Sequence, residues 1–193
     1  MADINLTEII IFESPSHCDT TVYLIDEHHG HDTSTRENIE IAKHLIAHNN
    51  VGLIGVEGYK GGFRFNTNIN MYTDNYYTGN ISENNRIGDY PLFAQEMVNQ
   101  KAAIVGVDSE ELSDKAVIDF VDYGIEARLH PNQFIRSLHF IKTLFDEYNL
   151  RGSKGNLILN CGARHNDDIL NLINMKINAN FKRICSLSHP RRA

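Results

Sequence analysis

The sequence predicts an α/β fold in which a mostly parallel central β-sheet is flanked by helices, and three observations carry that reading. Short β-branched, apolar runs recur at residues 21–25 (TVYLI), 51–56 (VGLIGV), 102–107 (AAIVGV) and 156–161 (NLILNC). Segments with apolar residues at helical spacing lie between them, and strands alternating with helices favour parallel neighbours. The chain has 193 residues without a fixed-period repeat or a linker-like stretch, so a single α/β domain over residues 1–193 is expected.

Each element has its own reason. Residues 9–12 read as an additional edge strand. Residues 21–25 end at DEHHGHD, which cannot continue a buried strand, so this run is placed at the sheet centre. Ser34 stands three residues before Glu37 as a capping box, and Ile39, Ala42, Leu45 and Ile46 then recur at helical spacing up to Asn49 and Asn50. With the run at 51–56 this makes a βαβ unit. After Glu57 comes GYKGG and a stretch in which seven of the chain's 21 Asn fall between Asn66 and Asn85, composition that favours turns over helix or strand interiors. A lid-like loop or short irregular helices are expected there. Pro91 falls in the first turn of a helix running to about Gln100. Pro131 opens another, with Phe134, Leu138, Ile141, Leu144 and Phe145 as its apolar stripe. A helix from Asp167 to about Met175 and a last strand at residues 181–187 complete the pattern.

Composition narrows the function classes. Residues of the set AVILMFWYC make up 41% and charged residues 22%, a globular balance. Lys plus Arg number 18 against 25 Asp plus Glu, a net charge of -7 that is the wrong sign for a protein binding nucleic-acid backbone. Only Pro190-Arg191-Arg192 is locally basic. No stretch approaches the roughly 18 consecutive apolar residues of a membrane helix, and MADINLTE lacks a signal peptide's basic-then-apolar pattern. A soluble, cytoplasmic protein without a membrane partner is the expectation. Three cysteines without paired spacing (Cys18, Cys161, Cys185) argue against a disulfide framework or a Cys-based zinc cage.

Ligands of open parallel sheets bind outside the carboxyl ends of the strands, and here those ends are polar. The first strand ends in Asp26-Glu27-His28-His29-Gly30-His31, the second in Glu57-Gly58 and the third in Asp108, while Gly162-Ala163-Arg164-His165 follows the fourth. Any one of these taken alone reads first as a cap or a solvated turn. Together, carboxylates and imidazoles at one edge could activate water by general base catalysis or hold a divalent ion that does so.

Leu24-Ile25-Asp26-Glu27-His28-His29-Gly30 resembles the Gly-Glu-x-His-Gly strand-end motif of the superfamily that contains erythromycin-esterase-like, ChaN-like and TraB/TIKI proteins. Gly55-Val56-Glu57-Gly58 is similar to its second, Glu-bearing motif. Asn160-Cys161-Gly162-Ala163-Arg164-His165 is similar to its late Gly-x-x-His motif, and Arg136 sits where members carry Arg or Asn. The resemblance implies an EreA/ChaN-like sheet-centred fold and a cleft lined by Glu27, His29, Glu57, Arg136 and His165. It implies ester hydrolysis, metal-dependent peptide cleavage or haem binding as the range of activity. In the metal-dependent case His29, Glu57 and His165 would be the ligands. The motif's first Gly is Asp26 here, which brings an additional carboxylate toward the site.

The leading expectation is therefore a small hydrolase acting on an ester, amide or phosphoester bond of a small-molecule or peptide substrate, with a divalent metal left open. The alternatives are a non-enzymatic module for haem or another small ligand, and an interaction domain on the same fold. Rival residues fare less well. His28 and His31 lack motif support. His44 and His48 have zincin spacing but lie opposite the apolar stripe of their helix. Cys161 reads as a buried strand residue in preference to a nucleophile, and Asp108 as a site member or a cap with equal weight. Gly52, Gly55, Gly58 and Gly61 form neither GxGxxG nor Walker A.

Overall fold

In the computed structural model, which describes residues 9–12, 19–28, 32–60, 90–98, 100–172 and 179–185, the apolar runs become strands buried on both faces. The order is β1 (Ile9–Phe12), β2 (Thr21–Glu27), α1 (Asp32–His48), β3 (Val51–Lys60), α2 (Tyr90–Val98), β4 (Ala103–Asp108), α3 (Glu110–Tyr123), a 3-10 turn (Gly124–Leu129), α4 (Pro131–Leu150), β5 (Asn156–Gly162), α5 (Ala163–Leu172) and β6 (Asn180–Ile184). The sheet runs β1-β6-β2-β5-β3-β4. Five strands are parallel, and β1 closes one edge antiparallel to β6.

Alternation along the strands assigns the two faces. Tyr23, Ile25, Ile54, Val56, Ile104 and Ile158 pack with Ile39, Ala42 and Leu45 of α1 and Phe93 and Met97 of α2. Val22, Leu24, Leu53, Val105, Leu157 and Leu159 pack with Phe140, Ile141 and Leu144 of α4 and Ile169 of α5. The chain lays down β2, β3 and β4 in one direction, then returns to insert β5 between β2 and β3 and to add β6 beyond β2. Reversing direction while keeping right-handed crossovers moves the later helices to the opposite face, as found.

Three expectations change. Helix α3 has no counterpart in the sequence reading, because Val117, Ile118, Phe120 and Val121 are exposed while Ala116 and Asp119 are buried, leaving no inward apolar stripe. Ser109 caps it, its hydroxyl accepting from the Leu112 amide. On α4 the buried row is Ser137, Phe140, Ile141 and Leu144, so Phe134 lies outside the core and a serine inside it. Helix α5 starts at Ala163, directly from β5, and places His165 in its first turn. His44 and His48 are exposed, as their helix face implied. The Asn-rich stretch lies outside the described residues. No helix among the described residues is long and apolar enough to cross a membrane.

Gly55 sets how closely α4 approaches the sheet. A Cβ there would stand 2.9 Å from Val107 Cγ1, 3.0 Å from Leu144 Cδ1 and 3.2 Å from Leu159 Cδ1. Gly55→Val should overpack this face and lower stability by about 1–3 kcal/mol, read as a lower urea midpoint with an unchanged slope.

Candidate functional site

The carboxyl edge of β3, β4 and β5 gathers three ionisable side chains around one guanidinium. Arg136, on the first turns of α4, donates through Nε to Asp108 Oδ1 at 3.0 Å and through Nη2 to Asp108 Oδ2 at 2.5 Å and Glu57 Oε1 at 3.0 Å. Backbone amides complete the shell. Gly162 donates to Glu57 Oε2 at 2.6 Å, and Ser109 and Gly58 donate to Asp108 at 2.8 and 3.3 Å. Gly58 has φ +79°, a conformation that suits glycine and turns its amide toward Asp108. Glu57 and Asp108 are buried, whereas the Arg136 side chain keeps 14% exposure and so links the cluster to solvent.

His165 completes the group. Its Nε2 lies 3.3 Å from Arg136 Nη1 and 3.5 Å from Glu57 Oε1, and its Nδ1 lies 2.7 Å from Ser137 Oγ. Ser137 Oγ also reaches the Gln133 carbonyl and Asp168 Oδ2. The Phe140 ring packs at 4.7 Å, tilted, against the imidazole and carries the Arg136 guanidinium 5.2 Å from its centre. A base, a carboxylate and a fixed cation thus meet in a largely dry setting, where electrostatic interactions are strong.

Of the residues singled out from sequence, Glu57, Arg136 and His165 come together, and Asp108 joins them. Glu27 does not. It continues the Tyr23 and Ile25 row and therefore faces α1, while Glu57 continues the Leu53 and Gly55 row and faces α4. Thr35 Oγ1, Asn38 Nδ2 and Asn160 Nδ2 donate to the Glu27 carboxylate at 3.0, 3.1 and 3.0 Å. Both amides turn their nitrogens to it, and their buried oxygens have no hydrogen-bond partner among the described residues. Asp26 is also drawn away from the cluster. Arg183, 1% exposed, grips it with Nε and Nη2 at 2.7 and 2.8 Å, and Asn166 adds a third donor. The extra carboxylate is thus half of a buried ion pair tying β2 to β6. His29 and His31 lie outside the described residues.

The donor chemistry does not fit a metal at Glu57 and His165. Arg136 occupies the position between Glu57, Asp108 and His165 that a dication would need, both Glu57 oxygens accept hydrogen bonds, and Nδ1 of His165 is taken by Ser137. No group of three or more His, Cys, Asp or Glu side chains among the described residues is placed to hold a metal ion.

Sequence reading passed over Ser137, Asp168, Asn38, Asn160 and Arg183. Asp168 stands one helical turn after His165 and Ser137 directly after Arg136, so a local signal existed for those two. Arg183 gave none, its partner lying 157 residues away.

Removing Asp26 alone should strand the Arg183 charge. Asp26→Ala is expected to lower stability by about 3–5 kcal/mol, whereas the double change Asp26→Leu with Arg183→Met should recover most of it. Urea denaturation of the three proteins measures both outcomes. Cys161 is fully buried, and burial followed by the nearby Glu57 and Asp26 charges pushes its thiol well above the usual range. Burial followed by Asp26 pushes Cys185 up to about 12. In a Cys18→Ser background both thiols should resist iodoacetamide at pH 8 and react once unfolded, counted by mass spectrometry.

No family model, curated protein or solved structure matches the chain.

Proposed function

We propose that the chain is a small hydrolase of the erythromycin-esterase, ChaN and TraB/TIKI type, working with Glu57, His165 and Arg136. The observation that carries this is the position of His165 Nε2 between a carboxylate oxygen at 3.5 Å and a guanidinium nitrogen at 3.3 Å, at the carboxyl edge of a parallel sheet. Neutral imidazole would accept a proton from water, and the Glu57 carboxylate would stabilise the imidazolium so formed. Arg136, pinned by Asp108, would offer fixed positive charge to the oxygen that becomes negative in the transition state. The same imidazolium could then protonate the leaving group. This accommodates an ester, amide or phosphoester of a small molecule or peptide. Glu27 is not part of this mechanism.

Turnover of an ester, amide and phosphoester panel tests the proposal. His165→Ala should lower kcat by about 10²–10⁴. Loss of a buried hydrogen-bonding partner should by itself remove only about 1–3 kcal/mol of stability, a shift of a few degrees in Tm. Activity falling merely in proportion to folded protein would end the proposal. Arg136→Ala is a poorer test, since it leaves two buried carboxylates without their cation.

A second reading has an observation behind it. Arg136 is already bonded to both carboxylates, as in an ion network that shapes a pocket and does no chemistry. Absence of turnover across the panel, with saturable binding of a small ligand, would favour that non-enzymatic module.

A further inference from the structure

Ser137 Oγ has one proton and three buried neighbours: the Gln133 carbonyl at 2.9 Å, Asp168 Oδ2 at 2.8 Å and His165 Nδ1 at 2.7 Å. The carbonyl can only accept, and a carboxylate likewise. If the hydroxyl proton went to Nδ1, two acceptors would face the serine oxygen with nothing between them. If it goes to Asp168 or Gln133, Nδ1 must carry a proton and donate to Ser137. The other ring nitrogen gives the same answer independently. Arg136 Nη1 has only protons to offer, so Nε2 at 3.3 Å accepts.

We propose that Asp168 and Ser137 are positioning residues that hold His165 in its Nδ1–H tautomer and leave the Nε2 lone pair directed at Arg136 and Glu57. Asp168 acts from α5 and Ser137 from α4, so the relay also ties the two helices that flank the site. Arg164 Nε lies 3.7 Å from the other Asp168 oxygen, on its outer side. Its catalytic meaning rests on the reading of His165 as a base, since only the Nδ1–H form presents Nε2 to a water. The tautomer itself exists with or without a substrate.

The test is a two-bond 1H–15N correlation spectrum of the full chain, at a pH where the ring is neutral, with His165 assigned from the spectrum that His165→Gln lacks. Protonated and unprotonated ring nitrogens resonate far apart, so the tautomer is read directly. In the wild type Nδ1–H should exceed Nε2–H by about tenfold or more, given what an unsatisfied buried acceptor costs. Ser137→Ala should lower the ratio severalfold without reversing it, because Nδ1–H loses its acceptor while Arg136 Nη1 still faces Nε2. Asp168→Asn, whose amide can donate to Ser137 and release the hydroxyl proton toward Nδ1, should move it the same way, and it serves if Ser137→Ala fails to fold. A wild-type Nε2–H ring overturns the proposal. So does an Nδ1–H ring unchanged in the variants, which would leave Arg136 alone setting the tautomer. Failure of the hydrolase reading would show separately, as missing turnover with the tautomer intact.

Discussion

The arrangement of the carboxyl edge depends on the Arg136 guanidinium. Glu57 lies near the carboxyl end of β3 and Asp108 ends the adjacent β4, and both side chains are 2% exposed. Two carboxylates brought that close repel, and each loses hydration worth several kcal/mol. One planar cation, bidentate to Asp108 and shared with Glu57, offsets both penalties and fixes where α4 crosses the sheet. The helix is also seated by packing, with Phe140, Ile141 and Leu144 against Val105 and Leu159. The apolar row sets the distance, which Gly55 keeps short, and the ion pairs set the register along the helix.

Two neighbouring residues on β2 show how strand alternation separates chemistry that looks contiguous in sequence. Asp26 and Glu27 point to opposite faces, and each meets a different solution to burial. Asp26 is neutralised by a full charge, the bidentate Arg183. Glu27 is held by neutral donors alone among the described residues, a hydroxyl and two amides that only accept this geometry if the carboxylate is the acceptor throughout. Both solutions also stitch elements together: Arg183 joins β2, β6 and the start of α5, and Asn38 ties α1 to the Asp26 carbonyl.

Much of this was legible in the sequence. A strand buried on both faces must be apolar throughout, which is why 21–25, 51–56, 102–107 and 156–161 stood out as central. Parallel pairing followed from the helices between them. The strand order did not, since inserting β5 between β2 and β3 is decided by tertiary packing. Helix α3 stayed hidden because its apolar residues face outward, and Ser137 because a serine in a buried row breaks the pattern that identifies such rows. Within the site, strand-end logic found Glu57, Asp108 and His165, and the resemblance added Arg136. Strand-end logic and the resemblance both group Glu27 with them. Counting parity from Tyr23 would have put it on the α1 face.

A catalytic group must change its protonation state and meet a substrate that arrives from solvent. Asp26 meets neither requirement, since Arg183 holds it with both partners 1% exposed. Glu27 is enclosed, at 3% exposure, by Thr35, Asn38 and Asn160. The α4 face differs through Arg136, whose side chain keeps 14% exposure beside Glu57 at 2%. Nε2 of His165 looks toward a carboxylate, and Arg136 reaches the surface while touching every other member of the group. Among the described residues, Glu57, Asp108, Arg136 and His165 therefore meet on the α4 face of this edge, while Thr35, Asn38 and Asn160 hold Glu27 on the α1 face and join β2 to α1.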